Sequence, residues 1–274
     1  MIRIYNIAIA AFCVFVSCFL LEIKFNYQAL ITIFIISFVM AGGYIMNDIL
    51  DVNSDKINHP NRPIARGKIK PPLIKLSALI LSLFLIFIST HINSSAICFL
   101  YFFIIPGLFF YNLYLKKTPL FGNILISVML GSVFLFTELV LIETMSTLSV
   151  PFALTVFFSL AREMIKDMAD YEGDILENMQ TLPIVLGMTC MRKFVLIWIF
   201  FLIILLIMPY YLFDYGLEYL FVLILFVEIP LIYSLFLLIK FPTKETYKYL
   251  AAMFKILCVN GLLAIMTSKI NLYV

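Results

Sequence analysis

Nine stretches of this chain stay apolar for long enough to cross a hydrocarbon core, which takes roughly 20 residues of helix. They fall at about 7–24, 29–46, 73–91, 95–114, 122–142, 148–165, 194–213, 217–239 and 247–267. Apolar residues are 64% of the 274 and charged residues only 13%, a balance that excludes an ordinary water-soluble domain. In a bilayer every backbone polar group must be paired within its own helix or around a closed barrel. Period-2 alternation is absent, so barrel strands are excluded. The expectation is an all-α integral membrane bundle of nine transmembrane helices, one compact domain over residues 1–274. The first stretch shows no small-residue cleavage site before the second begins, and it is read as a helix rather than a signal peptide.

Charge supports the count. Nine spans put the N-terminus and the connections after the second, fourth, sixth and eighth spans on one side. Of the 19 basic residues all but Lys24, Lys255 and Lys269 lie there, which makes that side cytoplasmic by the positive-inside rule. The partner this composition demands is the lipid bilayer; no nucleic-acid partner is expected, and the oligomeric state is left open. The five cysteines are scattered without metal-site spacing and read as apolar filler.

The polar residues concentrate in two cytoplasmic segments, 47–72 and 162–192, which read as long aspartate-rich loops. They hold Asp48, Asp51, Asp55, Glu163, Asp167, Asp170, Glu172, Asp174 and Glu177, nine of the 16 acidic residues. The first cluster runs Asn47-Asp48-Ile49-Leu50-Asp51-Val52-Asn53-Ser54-Asp55. The second runs Asp167-Met168-Ala169-Asp170-Tyr171-Glu172-Gly173-Asp174. Both contain D-x-x-D-x-x-x-D, and spacings of three and four put the carboxylates on one helical face. A single such run is commonly a solvated helix end. Two of them, emerging on the same side after the second and sixth spans, read as halves of one pseudo-symmetric site.

Carboxylates with an Asn carbonyl form a hard oxygen ligand set that suits Mg²⁺ bound together with a phosphate. The alternate-residue pattern of an EF-hand is absent, which argues against Ca²⁺. Basic residues interleave: Arg62 and Arg66 follow the first cluster, Arg162 and Lys166 precede the second, and Lys116 and Lys117 lie on the connection between them. Arg162 and Lys166 are one turn apart and would face a diphosphate. Lys68, Lys70, Lys240 and Lys244 are each explained by the positive-inside bias alone. A diphosphate held by metal and cations is a good leaving group, and the allylic cation it leaves needs a water-free apolar pocket and aromatic faces. Tyr44, Tyr101, Tyr111, Tyr114 and Phe158 are the aromatic candidates, although packing is the commoner role for any one ring. Glu138, Glu228 and Lys255 are ionisable residues at membrane depth.

These motifs resemble those of the UbiA superfamily of intramembrane prenyltransferases. N-D-x-x-D-x-x-x-D at Asn47 to Asp55, followed by Asn61-Arg62-Pro63, is similar to the family's first motif, and Asp167 to Asp174 to its second. The resemblance implies Mg²⁺ as cofactor, with Asn47, Asp51, Asp170 and Asp174 as ligands of the metal or its waters and Asp48, Asp55 and Asp167 supporting them. Asp51, Asp174 and Lys116 are the expected catalytic groups. Tyr111 and Lys116 resemble the family's diphosphate-binding pair, with Lys117 an open alternative to Lys116.

The run from Arg162-Glu163 through Lys166-Asp167 to Glu172-Gly173-Asp174 is similar to that of the archaeal ether-lipid subfamily. That likeness implies geranylgeranyl diphosphate as donor and geranylgeranylglyceryl phosphate as acceptor. Arg3 and Asn6 would then hold the acceptor's polar group, with Arg66 or Lys68 assisting. Three other readings compete. An aromatic acceptor is the alternative within the family. A cation transporter is disfavoured because the acids cluster at span ends, and the D-G-x-x-A-R signature of CDP-alcohol phosphotransferases is absent.

Overall fold

The computed structural model describes residues 4–52, 56, 61, 63–64, 66–69 and 71–268. Among these every regular element is helical. In chain order they are α1 (Ile4–Leu20), α2 (Tyr27–Leu50), α3 (Pro71–Ser89), α4 (Ser94–Leu113), α5 (Phe121–Ile142), α6 (Ser149–Leu176), α7 (Met188–Leu212), α8 (Leu217–Lys240) and α9 (Lys244–Thr267). A 3-10 turn at Leu115–Lys117 follows α4, and a short helix at Leu182–Leu186 precedes α7. Seven of them, α2 to α5 and α7 to α9, are long and apolar enough to cross a membrane. The remaining two are α1, with 17 residues, and α6, whose C-terminal half carries the second acidic cluster. Length and apolarity alone therefore support seven of the nine expected crossings.

Where they are described, the acidic clusters lie on helix ends and not on loops. Asn47 and Asp48 lie in the last turns of α2, with Asp51 as its C-cap. The whole second cluster lies inside α6, which runs to Leu176 instead of stopping near residue 165. The physical cause is in the spacing itself, because a three-and-four repeat is helical, and Lys166 bridges Glu163 and Asp170 along that face. α7 also begins earlier than expected, since Gly187 at φ 77° reverses the chain directly before Met188.

The chain divides into two compact units. In the first, which takes in residues up to Lys117 together with Ser132–Leu148 and Glu172–Met179, α2 packs against α1, α3 and the end of α4. Its core includes Val14, Ile35, Ile36, Ala96, Leu100 and Phe136. Lipid is as apolar as these side chains, so van der Waals fit and buried polar bonds carry the association. Asn93 supplies two such polar bonds. Its Oδ1 accepts from Ala96 N to cap α4, and its Nδ2 donates to the Leu139 carbonyl on α5 at 2.7 Å.

Glu138 supplies more. Its Oε1 accepts from Thr144 Oγ1 (3.1 Å), Ser146 N (3.0 Å) and Thr147 N (2.7 Å), and its Oε2 from Leu148 N (3.0 Å). The carboxylate therefore fixes the turn between α5 and α6 and caps the start of α6. These four bonds give this carboxylate at membrane depth a structural role.

The second unit comprises Thr118–Gly131, Ser149–Tyr171 and the chain from Gln180 onward. Here α7, α8 and α9 pack on one another. Gly131 lets α5 approach α6 closely: a Cβ there would lie 2.8 Å from Val156 Cγ2 and 3.0 Å from the Phe152 carbonyl. α8 contains a π turn at Ile224–Glu228 just before Pro230. Proline lacks the N–H that would bond to the Phe226 carbonyl in a regular helix. Asn260 of α9 donates to that carbonyl at 3.1 Å instead. A matching π turn at Leu100–Ile104 precedes Pro106 in α4. Glu228 is 4% exposed, and neither of its carboxylate oxygens has a hydrogen-bond partner among the described residues.

Candidate diphosphate and metal site

In the first unit the site is built on the last two turns of α2. Tyr44, Asn47, Asp48 and Asp51 stand at i, i+3, i+4 and i+7 and so share one face. Asp48 is 1% exposed and Asp51 7%. Carboxylates this buried require a cation or several donors. Lys116 provides the cation, with its ammonium 2.9 Å from Asn47 Oδ1 and paired with Asp51 Oδ2. Lys117, one residue on, is exposed. Of the two lysines, it is Lys116 that the 3-10 turn after α4 aims at the acidic face. Tyr111 lies half-buried near the end of α4.

Asn6 on α1 donates from Nδ2 to the Tyr44 hydroxyl at 3.0 Å, a contact between residues 38 apart in sequence. Arg66 bonds the Asn61 side chain, and Lys68 is exposed. Arg3, Asp55 and Arg62 lie outside the described residues. Asp174 also belongs to the first unit and is 7% exposed.

In the second unit, α6 displays Arg162, Lys166, Asp167 and Asp170. Arg162 pairs with Glu163, whose other oxygen is 3.9 Å from Lys166, and Lys166 is 3.8 Å from Asp170. Arg162 Nε is buried without a partner. An N–H held in this way suits an arriving anion. Asn123 at the start of α5 donates to Asp167 Oδ2 at 2.8 Å and fixes that carboxylate. Asn123 carries no periodic signal, being a lone polar residue at the edge of an apolar stretch.

Among the described residues no three acidic, histidine or cysteine side chains converge into a metal cage. The donor set still fits a hard cation. Asn47 Oδ1 and the Asp51 carboxylate already hold one, the Lys116 ammonium, and Mg²⁺ characteristically takes one or two carboxylates and completes its shell with water and substrate phosphate.

The sequence profile of the UbiA prenyltransferase family matches residues 8–258. Digeranylgeranylglyceryl phosphate synthase of Saccharolobus solfataricus is 31% identical over 286 residues, covering 100% of this chain and 96% of the relative. A solved structure concerning digeranylgeranylglyceryl phosphate synthase in membranes is similar with a TM-score of 0.75 at 30% identity, over 99% of this chain and 96% of that one. A UbiA homologue from Archaeoglobus fulgidus bound to GPP and Mg²⁺ is similar with a TM-score of 0.64, over 94% of this chain and 96% of that one. Its identity is 14%, so that likeness is one of fold.

Proposed function

The chain belongs to the UbiA prenyltransferase family and is a multi-pass membrane prenyltransferase, and from that premise we propose that it transfers a geranylgeranyl group from geranylgeranyl diphosphate to the hydroxyl of geranylgeranylglyceryl phosphate. The observation that carries this reading is the full-length likeness to a synthase of that name. We read residues 1–274 as one domain of nine spans with both acidic clusters on the cytoplasmic side.

In this reading Asn47, Asp51, Asp170 and Asp174 hold Mg²⁺ directly or through water, and Asp48, Asp55 and Asp167 support them. Bound there with the diphosphate, Mg²⁺ supplies charge neutralisation for the leaving group. Lys116 releases Asp51 and turns its ammonium to the diphosphate, which Tyr111, Arg62, Arg162 and Lys166 also bind. Each donor stabilises the negative charge that grows as the allylic C–O bond breaks. The apolar helices keep water from the cation. The acceptor hydroxyl is a poor nucleophile, so close placement beside a strongly electrophilic carbon matters more than a strong base. Arg3 and Asn6, with Arg66 or Lys68, hold the acceptor's phosphate apart from the diphosphate.

The test is product analysis with purified protein, geranylgeranyl diphosphate and three acceptors. Geranylgeranylglyceryl phosphate is prenylated and its dephosphorylated analogue poorly so. Prenylation of 4-hydroxybenzoate or a naphthoate in place of the glyceryl phosphate would refute the ether-lipid assignment and leave prenyl transfer standing.

A further inference from the structure

The α2 face that bears Asn47, Asp48 and Asp51 continues one turn further into the membrane to a single aromatic side chain, Tyr44. With a rise of about 1.5 Å per residue, Tyr44 stands about 4.5 Å membrane-ward of Asn47 and about 10 Å from Asp51. A diphosphate anchored among the carboxylates and Lys116 directs its hydrocarbon chain away from water, toward the apolar end of that face. The first ring the chain meets on α2 is Tyr44. The tip of this ring is tethered to a second helix. Its hydroxyl accepts the Asn6 amide at 3.0 Å, a bond that ties α1 to α2 across 38 residues of sequence.

We propose that Tyr44 is a catalytic residue whose ring faces the allylic C1 and stabilises the cation there, and that Asn6 is a positioning residue that fixes the ring's orientation. The inference rests on the prenyl-transfer reading above. In the step concerned, the C1–O bond breaks and its electron pair leaves with the diphosphate. Positive charge spreads over the allyl carbons against the electron-rich ring face, and a lone pair of the acceptor oxygen then forms the new C–O bond. The hydroxyl proton passes to the released diphosphate. Geometry makes the two residues unequal, because Asn6 touches only the phenol oxygen in this contact and acts through Tyr44.

The experiment measures kcat, KM, Mg²⁺ dependence and the ratio of transfer product to free prenyl alcohol for Tyr44→Leu, Tyr44→Phe, Asn6→Ala and the Asn6→Ala/Tyr44→Phe double variant. Tyr44→Leu lowers kcat by about 30-fold, the equivalent of about 2 kcal/mol for a desolvated cation–π contact. Its KM for the diphosphate and its Mg²⁺ requirement stay within about two-fold, since the interaction is made only in the transition state. The share of prenyl alcohol rises as the less shielded cation meets water. Tyr44→Phe retains the ring and restores most of kcat. At saturating acceptor Asn6→Ala lowers kcat when Tyr44 is present but adds nothing to the kcat of Tyr44→Phe, and loss of the Asn6 contact with the acceptor's phosphate shows separately as a raised acceptor KM.

Additive effects of Asn6→Ala and Tyr44→Phe on kcat at saturating acceptor would overturn the positioning role. A raised KM with unchanged kcat in Tyr44→Leu would overturn the catalytic one. Melting of each variant in detergent, compared with the parent, distinguishes either result from misfolding. The unaltered protein is the control for the parent reading: if it transfers no prenyl group, the reaction assignment falls and this proposal with it. Transfer by the unaltered protein, with Tyr44→Leu equally active, sinks the Tyr44 proposal alone.

Discussion

Replacing Glu138 by glutamine isolates the charge that fixes the start of α6. The buried carboxylate accepts four hydrogen bonds, three of them on Oε1 and one, from Leu148 N, on Oε2. A glutamine can keep its carbonyl at the Oε1 position. Its NH₂ then opposes the Leu148 N–H, so one bond is lost outright and a buried donor is left without a partner. The other three bonds change from charge-assisted to neutral. With about 1.5–3 kcal/mol for a bond to a charged group and about 1 for a neutral one, the loss comes to at least about 3 kcal/mol. In a chain of this size that corresponds to a fall in Tm of about 6–12 °C. The assay is thermal unfolding of detergent-solubilised protein, followed by the tryptophan emission of Trp198. Prenyl transfer, measured well below the transition, stays near that of the parent because the residue touches no expected substrate group. A Tm within about 2 °C of the parent would refute the assignment of these four bonds as a stabilising cap.

Other perturbations follow from the same geometry. Gly131→Ala forces a methyl to 2.8 Å from Val156 and 3.0 Å from the Phe152 carbonyl, and it lowers stability by about 1–3 kcal/mol in the same melting assay. Asn260→Leu removes the donor to the Phe226 carbonyl and costs about 1–2 kcal/mol; if Pro230→Ala in the same chain, which restores a backbone N–H, recovers none of this, the account of the π turn is wrong. Lys116→Met leaves the Asp51 carboxylate without its ammonium and raises the KM for the prenyl diphosphate, whereas Lys117→Met does not; equal effects of the two would remove the distinction between them. Cysteines introduced at Lys68 and Asn178 react with an impermeant maleimide only from the cytoplasmic side, and labelling of either from outside intact cells would overturn the nine-span topology.

Hydropathy made the helices legible because a bilayer leaves the backbone few choices. Seven of the nine stretches reappear as helices long and apolar enough to span. Their interruptions were not legible. The π turns before Pro106 and Pro230 change the register of α4 and α8 without changing their composition. The end of α6 was misplaced for a related reason: charged residues from Arg162 onward look like a loop to a hydropathy reading, although their three-and-four spacing keeps them helical to Leu176. The grouping of polar residues was legible where it rested on spacing, as with the shared face of Asn47, Asp48 and Asp51. It was not where it rested on contact between distant segments. Only the fold separates Lys116 from Lys117, pairs Asn123 with Asp167, and brings Asn6 to Tyr44. Glu138 belongs with these, since its position near a span end fits function and structure equally and only the fold shows the four donors it binds.

The measurement that bears most directly on the central claim is transfer of labelled geranylgeranyl from its diphosphate to geranylgeranylglyceryl phosphate by the purified protein, run with Mg²⁺, with EDTA, and with Mg²⁺ restored. It is repeated for Asp51→Ala and Asp174→Ala, each verified as folded by its melting curve. The account predicts transfer that disappears with EDTA, returns with Mg²⁺, and is lost by at least a hundred-fold or so in each variant, the scale expected when a group that stabilises leaving-group charge is removed. Near-parental transfer by both folded variants, or transfer indifferent to EDTA, would contradict it.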